Sequence, residues 1–135
     1  DFFNKITSYH MHDKLQYYNY LNHQESIANM IQCDMLLVSQ GNERAINGRI
    51  PAKLFEYIGA KKPILAIGKK GSDLEKIINK ISYAWFVDFD NNNLLYNTIL
   101  EIYSLRNLDA KFSDDISHFS REYQAKKLIK LIEEI

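Results

Sequence analysis

The stretch 47–71, NGRIPAKLFEYIGAKKPILAIGKKG, decides how the rest of the chain is read. At its centre, Pro51-Ala-Lys-Leu-Phe-Glu56-Tyr has the form of a helix start. Proline suits the first helical position, because the N–H it lacks would have no intrahelical partner there. Ile50, just before it, has no side-chain oxygen to cap the remaining amides. The N–H groups of Ala52, Lys53 and Leu54 are therefore left open. Such an end, with its positive dipole and with cations at Arg49 and Lys53, suits an anion. Spacing supplies the second half. Lys53 and Glu56 are three apart and Ala52 and Glu56 four apart, so they share a face, while Leu54 and Ile58 point toward a core. One face thus offers cations and amides for a phosphate and, a turn deeper, a carboxylate for sugar hydroxyls, as a nucleotide requires.

Downstream, residues 63–67 read as a buried strand. Gly68-Lys-Lys-Gly71 reads as a turn at the rim of a cleft. It is not a Walker phosphate loop, which needs longer spacing and a following Lys-Ser/Thr. Ser72 and Glu75 form a capping-box pattern for a helix to about Ile81. Residues 83–87 give a further strand, 88–93 a turn rich in Asp and Asn, and 92–105 a helix. After a polar connection over 107–115, a last helix at 117–134 places Phe119, Tyr123, Leu128, Leu131 and Ile135 on one apolar stripe.

Upstream, residues 34–39 form a short apolar strand, followed by a polar loop over 40–49 whose Gly41 and Gly48 would let it close over a ligand. A helix opens at Asn22-His23-Gln24-Glu25 and runs to Gln32, with Ile27, Met30 and Ile31 as its buried side. Before it, LQYYNYL at 15–21 reads as an aromatic core strand, and residues 1–9 as a turn or two of helix. His10-Met-His12-Asp13 has metal-ligating residue types, but reads as a polar loop, since a structural zinc site needs four ligands. Strands alternating with helices imply an α/β fold: a Rossmann-like parallel sheet flanked by helices on both faces, with ligands at the carboxyl ends of its strands.

GRIPAKLFEY followed by KPILAIG resembles the donor-binding segment of GT-B-fold glycosyltransferases, in particular the C-terminal domain of glycosyltransferase family 4. The resemblance runs from about Lys14 to the C-terminus and is carried by Lys53, Glu56, Tyr57 and Pro63. In that family a helix-borne glutamate grips the ribose diol of the nucleotide sugar, and Glu56 stands in its place. The resemblance implies that residues 1–135 are one nucleotide-sugar-binding domain. It would be the later part of a two-domain enzyme whose acceptor-binding half is absent, and so of little activity alone. It implies Lys53 and Glu56 as catalytic residues and Gly48, Arg49, Ile50, Ala52, Lys53, Leu54 and Glu56 as the donor site. Leu21 and His23, in the loop between the first strand and helix, would meet the nucleobase. The implied reaction is transfer of a hexosyl group from a nucleoside-diphosphate sugar to a glycan or lipid-linked acceptor, with retention and with no metal or other cofactor. The implied setting is polysaccharide biosynthesis in the cytoplasm, with peripheral association at the inner membrane face.

Two positions depart from the family pattern. Gly48 stands where the family often has a second glutamate, eight positions before Glu56, that contacts the transferred sugar. Lys61 stands where the family usually ends this helix with glycine. A left-handed Lys61 costs roughly 1–2 kcal/mol, unless Gly59 moves the turn. The last helix resembles the one with which GT-B enzymes pack back toward their other domain; its alternative role is to cover this sheet. Gly48 also motivates a different class, a non-catalytic nucleotide-binding or protein-docking module. A flavodoxin-like or response-regulator domain would need acids clustered after the first strand, which the chain lacks.

Composition fits one domain: 135 residues, 46% hydrophobic and 25% charged, are enough for a core. A formal net charge of zero gives no global field to recruit nucleic acid or an anionic membrane. The single cysteine, Cys33, allows no internal disulfide. No apolar run approaches the length of a membrane span and no signal-peptide pattern opens the chain. The opening Asp1-Phe-Phe-Asn is not an initiator sequence, in keeping with the later part of a longer protein.

Overall fold

In the computed structural model, which describes residues 2–41, 48–106, 112 and 114–134, three parallel strands form one sheet. Their order is β1 (Leu36–Ser39), β2 (Ile64–Gly68), β3 (Ala84–Asp88). The register runs Val38–Ala66–Phe86 and Leu37–Leu65–Trp85 across the sheet. Six α-helices among the described residues accompany it: α1 (Phe2–Ser8), α2 (His23–Gln32), α3 (Lys53–Ala60), α4 (Asp73–Ile78), α5 (Asn92–Leu105) and α6 (Arg121–Glu133). The α/β, Rossmann-like parallel sheet expected from the alternation is present.

Side chains alternate across a strand, so each strand feeds two cores. On one face Val38, Ile64 and Ala66 meet Leu54 and Ile58 of α3 and Leu74 and Ile78 of α4. On the other, Leu65 and Val87 meet Ile102 of α5, with Ile67 and Trp85 packed against them. The central strand is apolar on both faces because both are covered. The helix α5 covers Leu65 of β2 and Val87 of β3, while on the same face Leu37 of β1 stays half exposed.

Residues 15–21 are not a strand. They form an exposed connection in which Tyr17, Tyr18 and Tyr20 face solvent. Aromatic β-propensity reflects packing on a pleated surface, and it gives no strand without a ladder partner. Among the described residues nothing pairs with the outer edge of β1, so the sheet has three strands rather than four. Other corrections are local. Ile31 is exposed, leaving Met30 as the buried residue of α2. The reciprocal capping box sits at α2, where Asn22 and Glu25 exchange both bonds. At α4, Ser72 Oγ accepts the Glu75 N–H, but the Glu75 carboxylate accepts from Gly71 instead, and the helix stops at Ile78 rather than near Ile81.

The last helix is preceded by a separate 3-10 turn, Ser117–Phe119, and is capped by Ser120, which accepts the Tyr123 N–H. Its apolar stripe does not cover the sheet: Tyr123, Leu128 and Leu131 are all exposed. The expected loop over 40–49 falls outside the described residues at 42–47, as do Asp1, residues 107–111 of the polar connection, Ser113, and Ile135 of the stripe.

Of the two ways to end α3, the chain takes the strained one. Lys61 is left-handed, with φ 52° and ψ 40°, while Gly59 stays inside the helix. Close by, the buried Tyr83 hydroxyl donates to the Ile58 carbonyl at 2.8 Å, tying the last turn of α3 to the start of β3. Burial, reinforced by the nearby charge of Asp114, pushes the Tyr83 phenol up to about 12.

Two outcomes follow. Lys61→Gly, by removing the left-handed penalty, should raise stability by about 1 kcal/mol in urea unfolding. A phenol with a raised folded pKa contributes stability that is intact below its unfolded value of 10.0 and is lost as pH rises toward about 12. Tyr83→Phe should therefore lose about 1 kcal/mol at neutral pH, and its urea midpoint should fall less than that of the parent between those two pH values.

Candidate functional site

The chain leaves β1 at the carboxyl end of the sheet and re-enters the described structure at Gly48. Two hydrogen bonds fix its return toward α3. The Gly48 N–H donates to Asp73 Oδ2 at 2.8 Å, and the buried Gln40 donates from Nε2 to the Arg49 carbonyl at 3.0 Å. Gly48 has φ 76°, a conformation that favours glycine. Gln40 packs against Gly68, where a Cβ would come within 3.1 Å of both Gln40 Oε1 and the Phe86 ring. These contacts frame a cleft of about 300 Å³ lined by Ser39, Gly41, Gly48, Arg49, Ile50 and Pro51, besides Gln40.

Regular helix begins at Lys53, two residues later than Pro51. The Leu54 N–H donates to the Pro51 carbonyl at 2.9 Å, and the Phe55 N–H to the Ala52 carbonyl at 3.3 Å. This tight first turn corrects the expectation of three open amides. Leu54's is used, and those of Ala52 and Lys53 make no hydrogen bond among the described residues. The Leu54 side chain is fully buried and so belongs to the core.

Because Leu54 and Ile58 face the sheet, Ala52, Phe55 and Glu56 face away from it, and together they floor a second cleft of about 790 Å³. Ile50 lines both clefts. His23, at the start of α2, forms one wall of the larger one. Phe119, Arg121 and Gln124, from the corner that leads into α6, form the other. The Glu56 carboxylate makes no hydrogen bond or ion pair among the described residues, so the ordinary surface pair with Lys53 is not formed. Behind it, half-buried Tyr57 has its phenol pushed up by burial first and then by the Glu56 charge.

The expected site residues thus divide into three groups. Gly48, Arg49 and Ile50 lie on the smaller cleft, and His23, Ile50, Ala52 and Glu56 on the larger. Lys53 is exposed and Leu21 half-buried, and neither lines these two clefts. Lys69 and Lys70 line neither as well. Their turn is held instead by Asp88, which accepts the Lys70 N–H at 2.7 Å. Residues that sequence reasoning missed are Phe55, Phe119, Arg121 and Gln124. Phe55 carried a usable signal, being three residues from Ala52; the others come from a distant segment whose return to α3 leaves no local trace.

Among the described residues no group of three His, Cys, Asp or Glu could hold a metal ion. Also among them, no helix is long and apolar enough to cross a membrane. No protein-family model matches the chain, and no curated protein or solved structure matches it either. The chemistry of the two clefts therefore carries the functional reading.

Asp73 is held below its ordinary value of 3.8, first by the hydrogen bond from Lys76 and then by the Gly48 N–H. A lowered carboxyl contributes its stabilisation above the unfolded value and loses it as pH falls through the folded one. The Gly48 amide proton should accordingly shift in an NMR titration with a midpoint below 3.8. Asp73→Asn should abolish that transition.

Proposed function

We propose that the chain is the donor-binding domain of a retaining glycosyltransferase that takes a nucleoside-diphosphate sugar and serves a glycan or lipid-linked acceptor. The observation that carries this reading is Glu56, a carboxylate without a hydrogen-bond partner among the described residues, facing a cleft large enough for a nucleoside. That cleft shares Ile50 with a smaller one at the carboxyl end of β1. Open α/β sheets bind ligands at that end of their strands.

Glu56 would accept hydrogen bonds from the two ribose hydroxyls, each charge-assisted bond worth about 1.5–3 kcal/mol. The diphosphate would occupy the smaller cleft, where Gly48 leaves room and Arg49 supplies positive charge. As the glycosidic bond breaks, negative charge grows on the leaving diphosphate. Arg49 and the amides of Ala52 and Lys53 would act on the transition state more than on the bound donor, and the exposed Lys53 side chain, which lines neither cleft, would have to reach toward the diphosphate. Gly48 brings no carboxylate to the sugar, so sugar selection would fall to other groups. The resemblance to glycosyltransferase family 4 supports retention without a metal, work at the cytoplasmic membrane face and a role in polysaccharide biosynthesis.

A second reading, a nucleotide-binding module that docks on another protein, is favoured by one observation: α6 exposes Leu128, Ile129, Leu131 and Ile132 together. Calorimetric titration with UDP and GDP tests the first reading. Binding of either should weaken about a hundredfold or more in Glu56→Ala, the loss of two charge-assisted bonds. Binding that survives the substitution unchanged would remove Glu56 from the ribose and leave the docking reading.

A further inference from the structure

The wall of the larger cleft formed by Phe119, Arg121 and Gln124 is not needed to hold a ribose or a diphosphate, and its composition is specific. Arg121 is exposed on the first turn of α6 and makes no hydrogen bond or ion pair among the described residues. Its neighbour Glu122 pairs with Lys126 instead, at 2.7 Å. A cation in the first turn of a helix opposes the helix dipole, so helix formation does not account for Arg121 here. Gln124, three residues on and therefore on the same face, donates from Nε2 to the His118 carbonyl at 2.6 Å. That bond points the amide nitrogen away and leaves Oε1 as its free acceptor. Phe119 lines the same cleft, its ring 6.4 Å from that of Phe55 and 4.0 Å from that of His118, and so adds an apolar surface to a donor-only guanidinium and a carboxamide oxygen.

We propose that this corner is the nucleobase-binding wall, and that it selects bases with a lactam edge, guanine and uracil, over the amino-edged adenine and cytosine. This inference rests on the nucleotide reading above and adds the base and the residues that choose it. A lactam edge sets a carbonyl acceptor next to an N–H donor: O6 and N1–H in guanine, O4 and N3–H in uracil. Arginine offers five N–H donors and no acceptor, which suits the carbonyl and, in guanine, N7 as well. The Gln124 oxygen suits the ring N–H. Adenine and cytosine turn the pattern round, presenting an amino donor to the guanidinium and an unprotonated ring nitrogen to the carboxamide oxygen. Both mismatches leave a polar group unpaired, the arrangement that discriminates most strongly. Phe119 serves every base equally, because stacking is tolerant of sequence.

The test is a set of titrations of the chain with GDP, UDP, ADP and CDP, repeated for Arg121→Met and Glu56→Ala. Arg121 is exposed, so its variant should fold, which circular dichroism checks. The expected result is that GDP and UDP bind about tenfold or more tighter than ADP and CDP. Arg121→Met should remove that preference by weakening GDP and UDP while leaving ADP and CDP unchanged. Glu56→Ala should weaken all four alike, since the ribose is common to them. Equal binding of all four by the parent chain, a preference that persists in Arg121→Met, or equal weakening of all four by Arg121→Met would each overturn the base assignment. In all three cases a Glu56-dependent nucleotide site would remain. If none of the four binds, the nucleotide reading fails and the base assignment fails with it.

Discussion

Burial of Leu54 and Ile58 against Ile64 and Ala66 of the central strand sets the direction of everything else on α3. Successive residues of a helix are about 100° apart, so a helix whose inner face is fixed has no freedom left for its outer one. Phe55 and Glu56 must then point across the sheet's carboxyl end, toward α2 and the approach to α6. A single large-to-small change at Leu54, costing about 2–5 kcal/mol in a packed core, would damage the site without touching any group in it. The Tyr83–Ile58 hydrogen bond and the left-handed Lys61 fix the other end of the same helix, so its axis is held at both termini.

Features that local rules disfavour gather around α3. Lys61 occupies a backbone region better suited to glycine, Phe55 is partly exposed, Glu56 is left without a salt-bridge partner, and Arg121 faces the wrong end of a helix dipole. Sequences usually satisfy such rules except where function needs otherwise. Phe55, Glu56 and Arg121 line the same cleft. Lys61 lies at the far end of α3 and finds its explanation in ending that helix rather than in ligand contact.

The α/β alternation was legible because each element declares itself locally. The run LLVS, the proline before α3 and the Asn-rich start of α5 need no distant partner to be recognised, and the bounds of α5 match the expected ones. The shared face of Ala52 and Glu56 was legible for the same reason, since helical spacing is a local property. The aromatic run at 15–21 was misread because a strand is a relation between two segments, and its composition says nothing of whether the second is present. Likewise the wall of Phe119, Arg121 and Gln124 meets α3 from more than sixty residues away. The open amide of Leu54 was misjudged over a shorter distance: one tight turn at the helix start supplied it with a carbonyl.

The helix α6 meets the rest of the structure mainly through the turn just before it, and beyond that turn its side chains lie in solvent. A lone helix of 13 residues is marginal in water. Arg121 and Gln124 belong to its first turn, so the wall is ordered only while that turn is wound. On the proposed base assignment, filling the cleft and winding the helix would be two sides of one equilibrium: a base held by Arg121 and Gln124 would favour the wound helix, and fraying of the helix would weaken the base's binding by the same factor. If α6 does carry the proposed wall, its order would itself be a readout of occupancy.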